Sequence, residues 1–484
     1  MMINGLNRRY KNVNSMCGST LTGVFLFIVT SFGWNPTVSA QGSSEGPVSL
    51  RSDIRVEHYM EVAPQSIRLA QDPVSGDLYY NTNDGGIHRI VEQGVYEELW
   101  SVEDHDIPRM QGLAFHGEDL FAVGNQTANE GLGSVGIIMR GRLQADGSRT
   151  WSLVAKTVEH GGAQTVFDHG FNGILIDPSG EYLYVNSGAR TDHGEVQHNN
   201  GNYPGQREVP TTAVLFRLPI DTQDLILTHD PDQVDPYIFV KGVRNIYDLE
   251  FAPNGHLFGV SNSSDYDHPE DMWWLREGHH YGFPWIMGGV PNPQQNPEWH
   301  PDPEEDLLLP RFSHAYNVGY FRNDPDFPQK PDDLVITPAV QNIGPDADYY
   351  RDPETGNILK ASEEGTTIGT FSSHRSPLGL VFDHEGVLGG DFTGDGFVIG
   401  HNGMRTGMSQ PFGGADFGEQ EGRDLMHLEL IHSPAHDNYL VRVTRIVGEF
   451  PAPTDALMLG NEIYVINYGR GESSSIWKVI LPTR

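Results

Sequence analysis

The 484-residue chain has one cysteine, Cys17. Beyond that residue this excludes disulfide scaffolds, thiolate zinc sites, CxxCH haem attachment and a cysteine nucleophile. Basic residues are also few: 31 Lys and Arg face 65 Asp and Glu, a formal charge of −34. A field of that sign repels nucleic acid and anionic lipid, and no basic patch interrupts it. It suits a cationic redox protein as partner, or a saline medium, and simple solubility explains it with fewer assumptions. Long apolar runs are missing after residue 40, so no membrane insertion is expected there. Extended stretches of 3.6-residue periodicity are scarce. HExxH, GxSxG and Walker A motifs are missing, and no GxGxxG joins a strand to a helix. This speaks against zinc proteases, α/β-hydrolases, NTPases and nucleotide-dependent dehydrogenases.

The one apolar run, Leu21 to Trp34, follows Arg8, Arg9 and Lys11 and precedes Val38-Ser39-Ala40. It is shorter than the roughly 20 residues a spanning helix needs. Basic start, apolar middle and small-x-small end predict an export signal over residues 1–40, cleaved before Gln41. An exported protein, periplasmic or secreted, is therefore expected. The first forty residues hold three basic side chains and no acidic ones, so the remainder stands at −37.

The chain is rich in glycine (56) and proline (32), placed at turns between short apolar runs. Six segments share one plan of strand, turn and strand. They begin at Ser66 (SIRLAQDPVSGDLYYNTN), Gly112 (GLAFHGEDLFAVGN), Asn172 (NGILIDPSGEYLYVNSG), Asp248 (DLEFAPNGHLFGVSN), Gly379 (GLVFDHEGVLGGDF) and Asp455 (DALMLGNEIYVINYG). In the turns, proline presets φ and glycine accepts positive φ. Such hairpins cannot bury both faces alone and must stack. Six of them, each with two further outer strands, predict an all-β six-bladed propeller of four-stranded antiparallel blades spanning residues 41–484. Ser49 to Val62 is placed to complete the last blade. The long gap before Gly379 predicts a loop insertion, Pro284 to Gly369. The uneven spacing excludes a fixed short repeat such as WD40, and a pair of β-sandwiches would not explain the recurring hairpin.

Propellers bind ligands where the loops entering the inner strands converge on the channel mouth, so polar residues in those loops are the candidates. Asp168-His169 precedes one inner strand; the imidazole could serve as a base near working pH, with Asp168 close by, or be one surface histidine among 21. Arg244-Asn245 enters another, where the guanidinium fork could hold carboxylates or quinone oxygens, or form a structural ion pair. Arg375 and Arg405 are further anion candidates, with surface pairing as the alternative. Asp391 to Gly396 opens like a calcium loop, but its twelfth position is Asn402 rather than Glu, so a tight turn is favoured. Asn262, Ser263, Ser264 and Asp265 form an oxygen-rich loop after an inner strand, where calcium is plausible.

The run VRNIYDLEFAPNGHLFGVSNSSDYDHPEDMWWLREGHHYGFPW, Val243 to Trp285, resembles the signature of the soluble glucose/sorbosone dehydrogenases: an Arg-Asn pair, a P-x-G-x-L hairpin, an acidic loop and a G-x-x-Y-G-[WF]-P closure. DHGFNGILIDPSGEYLYVNSGART is similar to that family's histidine loop, and His374-x-Ser376-Pro377 with PTDALMLGNEIYVINYG resembles its final two blades. The resemblance covers most of Ala63 to Leu481. It implies pyrroloquinoline quinone (PQQ) with calcium at the channel mouth and a sugar or polyol substrate. On that reading His169 is the base, Arg244 acts on the reaction and with Asn245 and Arg405 contacts the cofactor, and Asn262 to Asp265 holds the calcium. Two departures stand out. The acid that supports the histidine in glucose-type enzymes is replaced by Ala189, with Asp168 or Asp192 as possible substitutes, and the family's cofactor lysine has no clear counterpart. A non-catalytic ligand-binding propeller and a calcium-dependent lactonase-like hydrolase are the alternatives. Residues alone name neither the sugar nor the electron acceptor.

Overall fold

The computed structural model describes residues 46–161, 167–197, 205–295, 307–309, 316, 326–366, 369–401, 422–469, 471 and 473–484. The expected export signal, residues 1–40, and Arg405 lie outside these residues. Helix among the described residues is limited to single turns such as Val102–His105, Pro231–Val234 and Ala361–Glu364.

The predicted hairpins form where the turn chemistry places them. In Asp72-Pro73-Val74-Ser75-Gly76, the Asp72 carboxylate accepts from the Val74 amide at 2.8 Å, and Gly76 takes φ 78°. The strands Ser66–Gln71 and Leu78–Thr82 then pair across it. The turn at Asp177 repeats the device, its carboxylate accepting from the Tyr182 amide at 2.7 Å. Side chains alternate between the two faces of each strand, so each blade is apolar on both sides and must be covered by a neighbour on each.

Six blades follow, and the chain is an all-β six-bladed propeller. The inner strands Ser66–Gln71, Arg109–His116, Phe171–Ile176, Ile246–Phe251, Pro377–Phe382 and Pro453–Leu459 touch in that order and close into a ring. One buried apolar cluster fills each of the six blade interfaces. The last blade is completed by Arg55–Val62, which pairs antiparallel with Ser474–Ile480, as expected for Ser49 to Val62. Joining the two ends of the chain in one sheet removes the open edge that would otherwise template aggregation.

Two departures from the sequence reading are visible. The fifth hairpin is wider than expected: Pro377–Phe382 pairs with Gly396–Gly400 rather than with the residues just after Glu385. The intervening Leu388 and Phe392 are fully buried, and Asp383 accepts from the amides of Val387 and Leu388 at 3.1 and 3.2 Å. Core burial thus outweighs β-propensity there, and Asp391 to Gly396 serves as the favoured turn. The fourth blade shows three strands, Ile246–Phe251, Leu257–Ser261 and Asp271–Leu275. The long segment after it instead adds Gln341–Pro345, in parallel, to the outer strand Asn438–Gly448 of the fifth blade.

The channel is not open throughout. Arg68 reaches across it to Asp455 at 3.2 Å and Asp248 at 3.5 Å, donates to Gln111 O at 3.0 Å, and stacks 3.9 Å over the Tyr247 ring. Beyond this plug the inner strands enclose a cavity of about 300 Å³ that includes Gln71, Glu250, His384 and Met458.

Candidate functional site

The loops entering the third and fourth inner strands meet at the channel mouth, and one residue, Ala189, joins them. The Ala189 N–H donates to Arg244 O at 2.7 Å, while Ala189 O accepts from the His169 amide at 3.1 Å. The same oxygen lies 3.0 Å from His169 Nδ1. A carbonyl can only accept, so Nδ1 carries the hydrogen and the lone pair sits on Nε2. The backbone oxygen of Ala189 thus orients the ring, at the position where the resemblance led to an acid being expected.

The approach is close enough to require glycine. A Cβ on Gly188 would lie 2.6 Å from His169 Cβ and 3.2 Å from Asn245 Oδ1. Asn245 is fully buried; it accepts from Asn172 Nδ2 at 2.5 Å and donates to Asn262 Oδ1 at 3.1 Å. His169, Arg244, Asn245 and Asn262 thus lie in one cluster.

The electrostatics differ from the expectation. Burial, and then the Arg244 charge, push the His169 imidazole down to about 3, well below its ordinary value, so the ring is neutral across the working range. Asp168 does not support it, being paired with Arg190 at 3.0 Å. Asp192 does not either. Fully buried, it takes Arg244 Nη2 on Oδ1 at 3.0 Å and His193 Nδ1 on Oδ2 at 2.8 Å, while its backbone oxygen accepts from Arg244 Nε at 2.7 Å. Its Oδ1 also accepts from the Asp265 amide at 2.9 Å. The pairing orients Arg244 and ties it to the 262–265 loop.

Below that loop lies a second charged network that the sequence did not reveal. Asp267 bonds Arg351 Nε at 2.6 Å and His374 Nε2 at 2.7 Å, which raises the His374 imidazole against its burial. Arg375, by contrast, is buried away from the mouth against Asp424, itself held by Arg445 at 2.6 Å. Among the described residues, no three His, Cys, Asp or Glu side chains gather as a metal cluster. The polar atoms around the 262–265 loop that are buried without a partner include Asn262 Nδ2, Ser263 Oγ and Glu270 Oε2.

No protein-family model matches the chain, and no curated protein matches it by sequence. Solved structures do. A glucose dehydrogenase superposes with a TM-score of 0.53 at 12% identity, covering 88% of this chain and 98% of that one. The fold is that of the soluble sugar dehydrogenases. The soluble aldose sugar dehydrogenase of Escherichia coli gives 0.52 at 12% identity, over 88% of this chain and 99% of its own. The holo PQQ domain of Coprinopsis cinerea pyranose dehydrogenase gives 0.52 at 12%, over 91% and 98%. Each superposition spans nearly the whole of the neighbour.

Proposed function

We infer that the chain is an exported quinoprotein that oxidises a sugar, or a related polyol or aldehyde, by hydride transfer to PQQ and passes the electrons to an external acceptor. The observation that carries this reading is the meeting of His169 and Arg244 across the Ala189 peptide at the channel mouth. The fold shared with sugar dehydrogenases supports it, and the leader over residues 1–40 supports export.

The mouth has donors suited to an anionic quinone. Arg244 uses one N–H on each of Nη1 and Nη2 for Asn262 O and Asp192, which leaves a second on each. Asn262 Nδ2 is a buried donor without a partner. For calcium, the Ser263 hydroxyl is a buried oxygen without a partner, two residues from Asp265. The ion would take that oxygen, loop carbonyls and the cofactor as ligands. A lactonase-like site would hold its metal mainly by carboxylate and Asn side chains, and it would need no Arg244-Asn245 pair at the mouth.

When bound, PQQ supplies the two-electron acceptor for the substrate's hydride. His169 takes the hydroxyl proton on Nε2, because the Nδ1 hydrogen is committed to Ala189 O; a ring held near 3 is a weak base, so this role requires that anionic charge bound beside Arg244 offset the lowering. Arg244, held by Asp192, keeps positive charge fixed beside the anionic ligand. In PQQ-loaded protein, His169→Gln should lower turnover about 10²–10⁴-fold, with PQQ affinity and thermal stability little changed. Arg244→Ala should weaken PQQ binding and rate together. Near-normal dye reduction by His169→Gln would show that another base does this work.

A further inference from the structure

A second cavity, of about 310 Å³, lies outside the channel between the outer strand of the fourth blade and the segment that leads to the fifth. Among the described residues the fourth blade shows three strands, and Asp271–Leu275 meets the incoming segment only through single bonds such as Val340 N–H to Met272 O at 2.8 Å, which leaves the space open. Trp273, Tyr281, Ile286, Ile336 and Tyr439 give it a largely apolar, aromatic wall. The volume is at the lower end of small-molecule sites, and the lining has their usual character.

One charged side chain breaks that wall. Asp271 is 7% exposed; its Oδ2 accepts from the Gly288 amide at 3.0 Å, and its Oδ1 is buried with no partner. Gly369 makes room for that oxygen, since a Cβ there would stand 3.0 Å from it. Several other polar groups nearby are satisfied. Tyr281 OH donates to Trp274 O at 2.6 Å, Tyr439 OH accepts from Asn254 at 2.9 Å, and Asn438 donates to Pro338 O at 3.0 Å. Both phenols therefore offer the cavity their rings, and the Trp273 and Tyr281 rings stand 5.5 Å apart.

A carboxylate with spare acceptor capacity among aromatic rings is the chemistry that binds an ammonium, by a charge-assisted hydrogen bond and by cation–π attraction. The geometry points to a second binding site here, one that takes a small organic ammonium ion: a primary amine on an aromatic or alicyclic body. Among the described residues lining the cavity, no Lys or Arg competes for Asp271. The remaining titratable groups around the cavity are His436, at its exposed rim, and the two phenols. Burial pushes the Asp271 carboxyl up to about 7, so the anion is available above neutrality and lost below it.

The test is calorimetric titration of the full chain with phenethylamine, with 2-phenylethanol as the uncharged analogue. Saturable phenethylamine binding at pH 8 is expected, about ten-fold or more weaker at pH 5.5 and in Asp271→Asn, the scale of losing one charged hydrogen bond. Ala339→Phe, which fills the cavity from a half-buried position, should abolish binding while leaving Asp271 in place. The alcohol should bind weakly and equally at both pH values. Absence of saturable amine binding at pH 8, or undiminished binding by both variants, overturns the proposal and leaves Oδ1 to a water molecule.

Discussion

At position 189 a backbone oxygen orients the His169 ring, where the family pattern puts a carboxylate. The two are not equivalent. A carboxylate would hold the imidazolium and raise its pKa, whereas a carbonyl fixes the tautomer and leaves burial and Arg244 to push the ring down to about 3. The sign of the linkage follows. A histidine held below its ordinary value stabilises the fold fully above about pH 6.5, and that stability is lost as pH falls toward 3. In unloaded protein, the His169 ring followed by NMR should stay neutral down to about pH 4, the range set by that depressed value. A midpoint near 6.5 would mean that the ring is solvated and not oriented as described. His169, Arg244 and Asn245 were legible as candidates because they sit in loops that enter inner strands. The roles of Ala189 and Asp192 were not, since a backbone acceptor has no side-chain signature and Asp192 had been considered only as a support for His169.

Among the elements, hairpins were legible where an Asp-Pro or Ala-Pro turn with glycine separated two apolar runs, and the strand positions followed at once. The fifth failed for a stated reason: Leu388 and Phe392 look like strand residues but are buried as loop anchors beneath a turn. The closing strand Arg55–Val62 could be assigned only because an unpaired extended segment must go somewhere in a ring. Its Met60 and Val62 are 2% and 1% exposed, in the cluster that joins the last blade to the first. Burial of each side chain is worth about 1.5–3 kcal/mol. Deleting residues 41–62 should therefore abolish a single cooperative unfolding transition in calorimetry and expose an aggregating edge. An unchanged transition would show that the ring closes without this strand.

For the whole molecule, the blade interfaces carry the fold and the channel carries its polar seam. Arg68 sits in that seam, 5% exposed, between two carboxylates whose burial raises both. Arg68→Met should cost about 3–5 kcal/mol at pH 9, above the value of about 8 to which burial pushes Asp248, the usual result of stranding buried charge, measured by urea denaturation. The deficit should shrink as pH falls and the raised carboxyls take up protons; a deficit independent of pH would point to lost packing instead. The acidic surface and the mouth together frame the central claim, because an anionic cofactor must find its site on a protein of formal charge −34. The proposed site meets that demand with Arg244 and a calcium ion acting together. The direct measurement is a calorimetric titration of purified apoprotein with PQQ, with and without calcium. The account predicts stoichiometric PQQ binding that requires calcium and is reversed by a chelator; absence of calcium-dependent PQQ binding would contradict it, even with the propeller intact.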